Sequence, residues 1–305
     1  MATRQTPLIG VSPAGARRAA AGAAAALAAA LWVAAPAARV EPPSRIVSLV
    51  PAVTEMLFVV GAGSRVVGVS SFDTEPPEVA SRARVGGLLD PDLERILALR
   101  PDLAIVYATQ ADLIRQLERA GVPLYRYEHA GLADVLETMR TIGARVGHGA
   151  EAESAAARIE TRLAAIARQV GDRPQPRTLV VFGRDRMALR NVFASGGVGF
   201  IDDMLQAAGG ANVFEDVRRQ SLQATSELVI ARAPEVILEL RGEFGTIGPG
   251  DIDRERRIWN ALASVPAVKT GRVYILVDSS VVVPGPRVAD GVEKMARVLH
   301  PEAFD

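Results

Sequence analysis

Two stretches of this chain carry the same pattern, and that repetition limits the folds open to it. Residues 94–105 read E-R-I-L-A-L-R-P-D-L-A-I, and residues 227–238 read E-L-V-I-A-R-A-P-E-V-I-L. Glu94 and Glu227 open the two blocks, and in each a proline stands seven positions on, Pro101 or Pro234, followed by an acid, Asp102 or Glu235. Each block reads as a short amphipathic helix, stopped before proline, that runs into an apolar strand. One such unit in each half of a chain predicts two similar lobes with a gap between them. That is the architecture of a clamp, and it favours binding over chemistry.

The chain has 305 residues, enough for two domains that each bury a core. Its formal net charge is zero, which gives no reason to expect nucleic acid or an anionic membrane surface as a partner. Near the N-terminus, Arg4, Arg17 and Arg18 precede an uncharged run from Ala19 to Val33, followed by Ala35-Pro36-Ala37. This order of basic, apolar and small residues predicts a secretory signal over residues 1–37, cleaved after Ala37. A membrane anchor is the alternative, but a span needs about 20 strongly apolar residues, and this run is shorter and mostly alanine. The Arg17-Arg18 pair leaves open whether the export route is twin-arginine or general. The sequence contains no cysteine, so acylation at a cleavage-site thiol and stabilising disulfides are both excluded from the reading. A periplasmic protein that is not a lipoprotein is expected.

Strand and helix alternate along the rest of the chain. Strands are expected at Arg45–Leu49, Val66–Val69, Leu103–Tyr107, Pro123–Tyr127, Thr178–Phe182 and Val273–Val277. Helices are expected at Pro51–Val60, Glu94–Leu99, Gln110–Ala120 and Phe200–Ala208. The alternation predicts sheets that are mostly parallel and covered by helices on both faces. Ala150 to Val170 breaks the rhythm: it lacks proline and glycine and sets Ile159, Leu163, Ile166 and Val170 on one stripe. At 1.5 Å per residue that is a rod of about 30 Å, long enough to join two lobes. Glu55-Met56-Leu57 before Gly61 is echoed by Asp203-Met204-Leu205 before Gly209, and Leu117 to Pro123 by Leu262 to Pro266. Three echoes in the same order favour a duplication over a chance likeness of βα units. The expected organisation is a lobe at 44–147, a rigid link at 148–175 and a second lobe at 176–305.

Catalytic patterns are weak. His129, His148 and His300 have no metal-ligand spacing, so no metal site is expected. Ser195 stands in Ala-Ser-Gly-Gly rather than in a nucleophile elbow, and Asp202 and Asp203 have no partner base, so an exported hydrolase is a poor fit. Gly196-Gly197-Val198-Gly199 lacks the spacing and lysine of a phosphate loop and reads as a turn. In an open α/β sheet the loops after the strands hold the ligand. Here they are Pro51-Ala52, Ser71-Phe72-Asp73, Tyr107-Ala108-Thr109, Gly183 to Arg186 and Asp278 to Ser280. They predict a cleft for a sizeable, partly apolar ligand with polar or anionic substituents.

The segments Arg45 to Phe58 (R-I-V-S-L-V-P-A-V-T-E-M-L-F), Val66 to Asp73 (V-V-G-V-S-S-F-D) with Pro76-Pro77, and Leu93 to Leu103 (L-E-R-I-L-A-L-R-P-D-L) resemble the periplasmic cobalamin-binding proteins of ABC importers. These belong to the helical-backbone, class III substrate-binding superfamily, which also holds siderophore and haem binders. The resemblance runs from about Arg45 onward and includes G-G-A-N-V-F at Gly209 to Phe214. It implies an α/β fold of two lobes joined by one long rigid helix, and because one helix is a stiffer link than paired hinge strands, small lobe closure is expected. It also implies a monomer that binds a small molecule, is not an enzyme, and has as partners a permease dimer and its ATPase. Delivery to a sensor is the other use of such a module. In the family's pattern one glutamate on each lobe's rim docks on permease arginines, and Glu94 and Glu227 match.

The implied cargo is a cobalt corrinoid, with a ferric siderophore or haem as the alternative. Tyr107 or His129 as an iron ligand would favour haem. The candidate ligand contacts on the N-terminal side are Pro51, Ala52, Phe72, Asp73, Leu88 and Tyr107. On the C-terminal side they are Phe182, Arg184, Ser195, Asp278 and Arg287. The sequence departs from cobalamin binders in placing Leu88-Leu89 after Gly86-Gly87, where tryptophan or tyrosine is usual, and its tryptophans, Trp32 and Trp259, lie outside the expected loops.

Overall fold

The structure, a computed structural model, describes residues 41–242 and 249–304. The expected signal segment 1–37 lies outside the described residues. Strands β1 (Ile46–Ser48), β2 (Val66–Val69), β3 (Ala83–Arg84), β4 (Leu103–Tyr107) and β5 (Leu124–Tyr127) form one sheet in the order β3-β2-β1-β4-β5, parallel throughout. Helices α1 (Pro51–Val59), α2 (Leu93–Ala98), α3 (Ala111–Arg119) and α4 (Leu132–Arg145) accompany it. Helix α5 (Gly149–Val170) leads into the second half.

There, β6 (Arg177–Gly183), β7 (Phe193–Ser195), β8 (Ala211–Asn212), β9 (Ser221–Gln223), β10 (Val236–Arg241) and β11 (Val273–Val277) build the second sheet, in the order β11-β10-β6-β7-β9 with β8 beside β6. The pairs β10–β11, β6–β10 and β6–β8 are parallel, whereas β6–β7 and β7–β9 are antiparallel. The helices of this half are α6 (Phe200–Ala207), α7 (Ser226–Arg232), α8 (Pro249–Arg257), α9 (Pro266–Lys269) and α10 (Val288–Leu299). The expected strands and helices are present, with no end shifted by more than one residue. Helices α4, α8, α9 and α10, the short strands β3 and β8, and the antiparallel edge of the second sheet are additions to the expected set.

The twin blocks fold alike down to single hydrogen bonds. Asp92 caps α2 by accepting from Arg95 N, and Thr225 caps α7 by accepting from Leu228 N. Each helix is followed by a residue at positive φ directly before the proline: Arg100 at 48° and Ala233 at 47°. The acid after the proline then grips the first residues of the neighbouring strand. Asp102 accepts from Ser44 N and Arg45 N, both at 2.8 Å, and Glu235 accepts from Arg177 N at 2.9 Å. An arginine at that strand's start returns to the helix end, Arg45 just before β1 to Leu99 O and Arg177 of β6 to Arg232 O. Partial burial would raise the Asp102 carboxyl, but the backbone N–H groups of Ser44 and Arg45 and the Ser44 hydroxyl hold it below the usual carboxylate range.

Alternate residues of β1 feed different cores, Ile46 on one face of the sheet and Val47 on the other. The core containing Ile46 does not stop at the lobe. It runs through Met56 of α1, Met139 and Ile142 of α4, Ile159 and Ile166 of α5, Met204 and Leu205 of α6, and Val292 and Met295 of α10. Helix α4 comes so close to α5 that a Cβ on Gly143 would lie 2.2 Å from Ala152 Cβ. Among the described residues no helix is long and apolar enough to cross a membrane.

Because the acids after the prolines pin strand starts in both lobes, Asp102→Ala and Glu235→Ala should each lower stability by about 1 kcal/mol, the low end for charged hydrogen bonds near solvent. Urea unfolding midpoints test this; a shift in neither variant would show that the grip is dispensable.

Candidate functional site

The carboxyl ends of β1, β2, β4 and β5 open onto one cavity of about 410 Å³. Its floor and walls on the first-sheet side come from Pro51, Ala52 and Glu55 at the start of α1, Ser70, Phe72, Thr74 and Glu75 after β2, Leu88, and Tyr107, Tyr127 and His129. The second half closes it with Ser279, Val282, Val283 and Pro284. A neighbouring cavity of about 320 Å³ shares His129 and Val282 and adds Phe182, Phe200 and Ile201.

An aromatic wall runs across the lobe boundary. Tyr107 and Tyr127 are register partners on adjacent strands, with ring centroids 5.9 Å apart in edge contact. The Tyr127 hydroxyl lies 3.3 Å from His129 Nδ1, and the His129 ring meets Phe200 edge-on at 5.6 Å. Burial, with Asp73 nearby, pushes the Tyr107 phenol up to about 12. Burial likewise raises Tyr127 and lowers His129. The wall therefore stays uncharged at neutral pH. Gln110 holds the Leu88 loop onto it: its Oε1 accepts from Tyr107 N at 3.0 Å, and its Nε2 donates to the carbonyls of Gly87 and Leu88 at 3.3 and 3.0 Å.

Of the residues singled out from sequence, Pro51, Ala52, Phe72, Leu88 and Tyr107 line the main cavity, and Phe182 lines its neighbour. The others have different positions. The Arg184 side chain is fully buried away from the cleft, paired with Glu239 at 3.1 Å and Glu255 at 2.6 Å. An arginine just after a strand read as a cleft residue, but a buried pair of acids draws it into the lobe. Ser195 is fully buried, its hydroxyl donating to Gly196 O. Asp278 caps the following turn through Ser280 N and is bonded to Lys294, outside the main cavity. Arg287 donates to Glu55 rather than facing the cavity. Asp73 lies behind the wall, buried. Asp202 and Asp203 are engaged by Asn212 and by Leu132 N.

Glu94 and Glu227 are exposed in the first turns of α2 and α7. The backbone N–H of Glu227 and the Thr225 hydroxyl keep its carboxyl below the usual range. Sequence reasoning missed Glu55, Tyr127, Gln110 and the segment Val282 to Pro284. Only Tyr127 carried a usable signal, as the terminal aromatic of the strand next to Tyr107.

Neither oxygen of Asp73 has a well-formed hydrogen bond among the described residues. Burial pushes its carboxyl up to about 7, against the pull of the Thr54 hydroxyl, the Ser70 backbone and Arg84. The folded state then holds a proton that the unfolded chain has released. Stability from this group is complete below the ordinary carboxylate range and falls by about 1.4 kcal/mol per pH unit until the folded pKa is passed. Asp73→Asn should flatten the decline in melting temperature between pH 5 and 7; an unchanged slope would clear Asp73 of this role.

A family model described as "Periplasmic binding protein" matches residues 46–279. An ABC transporter substrate-binding lipoprotein of Bacillus subtilis, YvrC, is 27% identical over 270 residues, covering 86% of this chain and 82% of that one. A cobalamin-binding protein of Halobacterium salinarum is 28% identical over 268 residues, covering 85% and 70%. The solved structure of the periplasmic haem-binding protein RhuT from Roseiflexus sp. RS-1 superposes with a TM-score of 0.73 at 29% identity, covering 85% of this chain and 99% of that one. With the cleft between two α/β halves joined by one long helix, these likenesses identify the chain as a member of the periplasmic binding protein family, in its class III form, a substrate-binding protein of the ABC transporter type.

Proposed function

We propose that this protein captures a corrinoid of the cobalamin type in the cleft and delivers it to an ABC importer, without catalysing a reaction. The observation that carries the reading is the charge of the cavity wall. Its lining is apolar and aromatic, its polar members are Glu55, Ser70, Thr74, Glu75, Ser279, Tyr107 and the Tyr127–His129 pair, and among the described residues no arginine or lysine lines it. A corrin ring carries a rim of neutral amides, whose N–H groups suit carboxylate and hydroxyl acceptors. Haem brings two carboxylates and ferric catecholates bring more negative charge, and both call for cations. The haem reading keeps one observation in its favour, since Tyr107, Tyr127 and His129 are groups that ligate iron. The raised phenol pKa of Tyr107, about 12, works against that use.

In this reading residues 44–147 and 176–305 are the ligand-gripping lobes, and 148–175 is the link between them. Glu94 and Glu227, at equivalent places on the two lobes, are the docking acids for a permease dimer powered by its ATPase. The segment 1–37 directs export to the periplasm, where the protein acts as a monomer. YvrC is a lipoprotein by name, whereas this sequence has no cysteine to acylate.

Purified protein titrated with cyanocobalamin, hemin and a ferric catecholate, and followed by absorbance, should bind cyanocobalamin one to one. Tyr107→Ala should weaken that binding by about tenfold or more. A shifted haem band with no corrinoid binding would transfer the assignment to haem. In cells, Glu94→Arg combined with Glu227→Arg should abolish uptake while leaving cyanocobalamin affinity intact; loss of affinity, or normal uptake, would remove the docking role.

A further inference from the structure

At one edge of the cavity the two lobes are joined by an ion pair. Glu55, on α1, lines the cavity with its side chain 7% exposed. Arg287, in the turn before α10, donates to it through two nitrogens: Nε to Oε2 at 2.9 Å and Nη2 to Oε1 at 2.7 Å. The same Nη2 donates to the Ser279 hydroxyl at 2.9 Å, and Ser279 also lines the cavity. One guanidinium therefore fixes a cavity residue from each lobe.

Among the described residues the other hydrogen bonds between lobes are of a different kind. Phe200 N donates to Ala130 O at 3.0 Å and Leu132 N to Asp203 Oδ2 at 2.8 Å, so they depend on main chain next to helices that pack on α5. The Glu55–Arg287 contact depends only on two side chains, and a forked geometry of this kind is lost once the partners separate by an ångström or two. The cost of burying two charges also offsets part of the attraction in such a pair. Burial raises the Glu55 carboxyl while Arg287 opposes that rise, and on separation both groups would regain water as they lose each other. A contact that is selective in geometry but modest in net energy can be made and broken in each cycle.

We propose that Glu55 and Arg287 are a positioning pair that sets the separation of the lobe edges and retains ligand, and that breaking the pair opens the cleft. Arg287 then acts on the cargo through Glu55 and Ser279, without being a ligand contact itself. The retention half of this proposal rests on the corrinoid reading above; the positioning half does not.

The chain has no cysteine, so exposed Ala120 and Lys269, one on each lobe, can be replaced by cysteine and spin-labelled without interference. In ligand-free protein, Glu55→Gln and Arg287→Gln should each broaden or lengthen the interlobe distance distribution, and Arg287→Lys, which keeps the charge but loses the fork, should fall between them and the parent. Stopped-flow release of cyanocobalamin should be about tenfold faster in the glutamine variants. An unchanged distance distribution in soluble, folded variants overturns the proposal, and if release is nonetheless faster, Arg287 or Glu55 is a direct ligand contact. If the parent binds no cyanocobalamin, the corrinoid reading fails while the distance measurement still decides the positioning role.

Discussion

The structure depends on an apolar core that does not respect the boundary between its halves. Side chains from α1 and α4 on one side, and α6 and α10 on the other, meet around the buried stripe of α5 in one continuous cluster. Interiors of this kind are close-packed and resist shear, because sliding one helix along another costs contacts throughout the cluster. The helix is therefore more than a tether of suitable length: each lobe completes its own core against it. A large rotation of one lobe would expose the faces of α5 that the small side chains Ala152, Ala155 and Ala156 now seal. Movement is left to the far edge of the cleft, where contacts are polar and few.

What could be read from the sequence follows from which features are local. The twin blocks were legible because helix, proline and acid are contiguous, and the structure supplies their reason: the acid holds the start of the neighbouring strand, Asp102 against Arg45 and Glu235 against Arg177. Pro51, Phe72 and Tyr107 were legible because parallel strands deliver their following loops to one edge. Arg184 follows the same rule in sequence and breaks it in space, since Glu239 and Glu255 lie inside the lobe and are more than fifty residues away along the chain. Helix α4 escaped notice, although Val135, Leu136, Met139 and Ile142 have helical spacing, because it follows α3 and β5 without a change in composition. The edge strands β7 and β9 are only three residues each, too short for a period to declare itself.

The cleft obtains its character by subtraction. Arginines are plentiful in this chain, yet those near the cavity are committed elsewhere, Arg84 to the carbonyls of Ser70 and Asp73 and Arg287 to Glu55, while Arg184 is drawn into the lobe by two buried acids. Each such engagement withdraws a cation from the wall and leaves aromatic edges and acceptors facing the space. A neutral, amide-rimmed ring loses little on entering such a site, whereas a polyanion would give up its hydration without recovering charge-assisted bonds.

These two properties, a rigid back and a charge-poor cavity, bear on how cargo is released. A ligand held by area alone leaves only when the area is reduced, and parting the lobes by rotation about their common helix would cost contacts throughout the shared core. Release must therefore begin where the lobes are joined by side chains that water can replace. Glu55 and Arg287 are at that edge, one of them on the cavity wall, and any force that separates the rims of the two lobes acts there first. Glu94 and Glu227 stand exposed on α2 and α7, one helix in each lobe, so a partner that grips both acids pulls on both lobes. In the delivery cycle proposed above, small displacements would suffice: docking would strain the rims, the ion pair would yield, and the cavity would lose its closed edge while the core behind it stays packed.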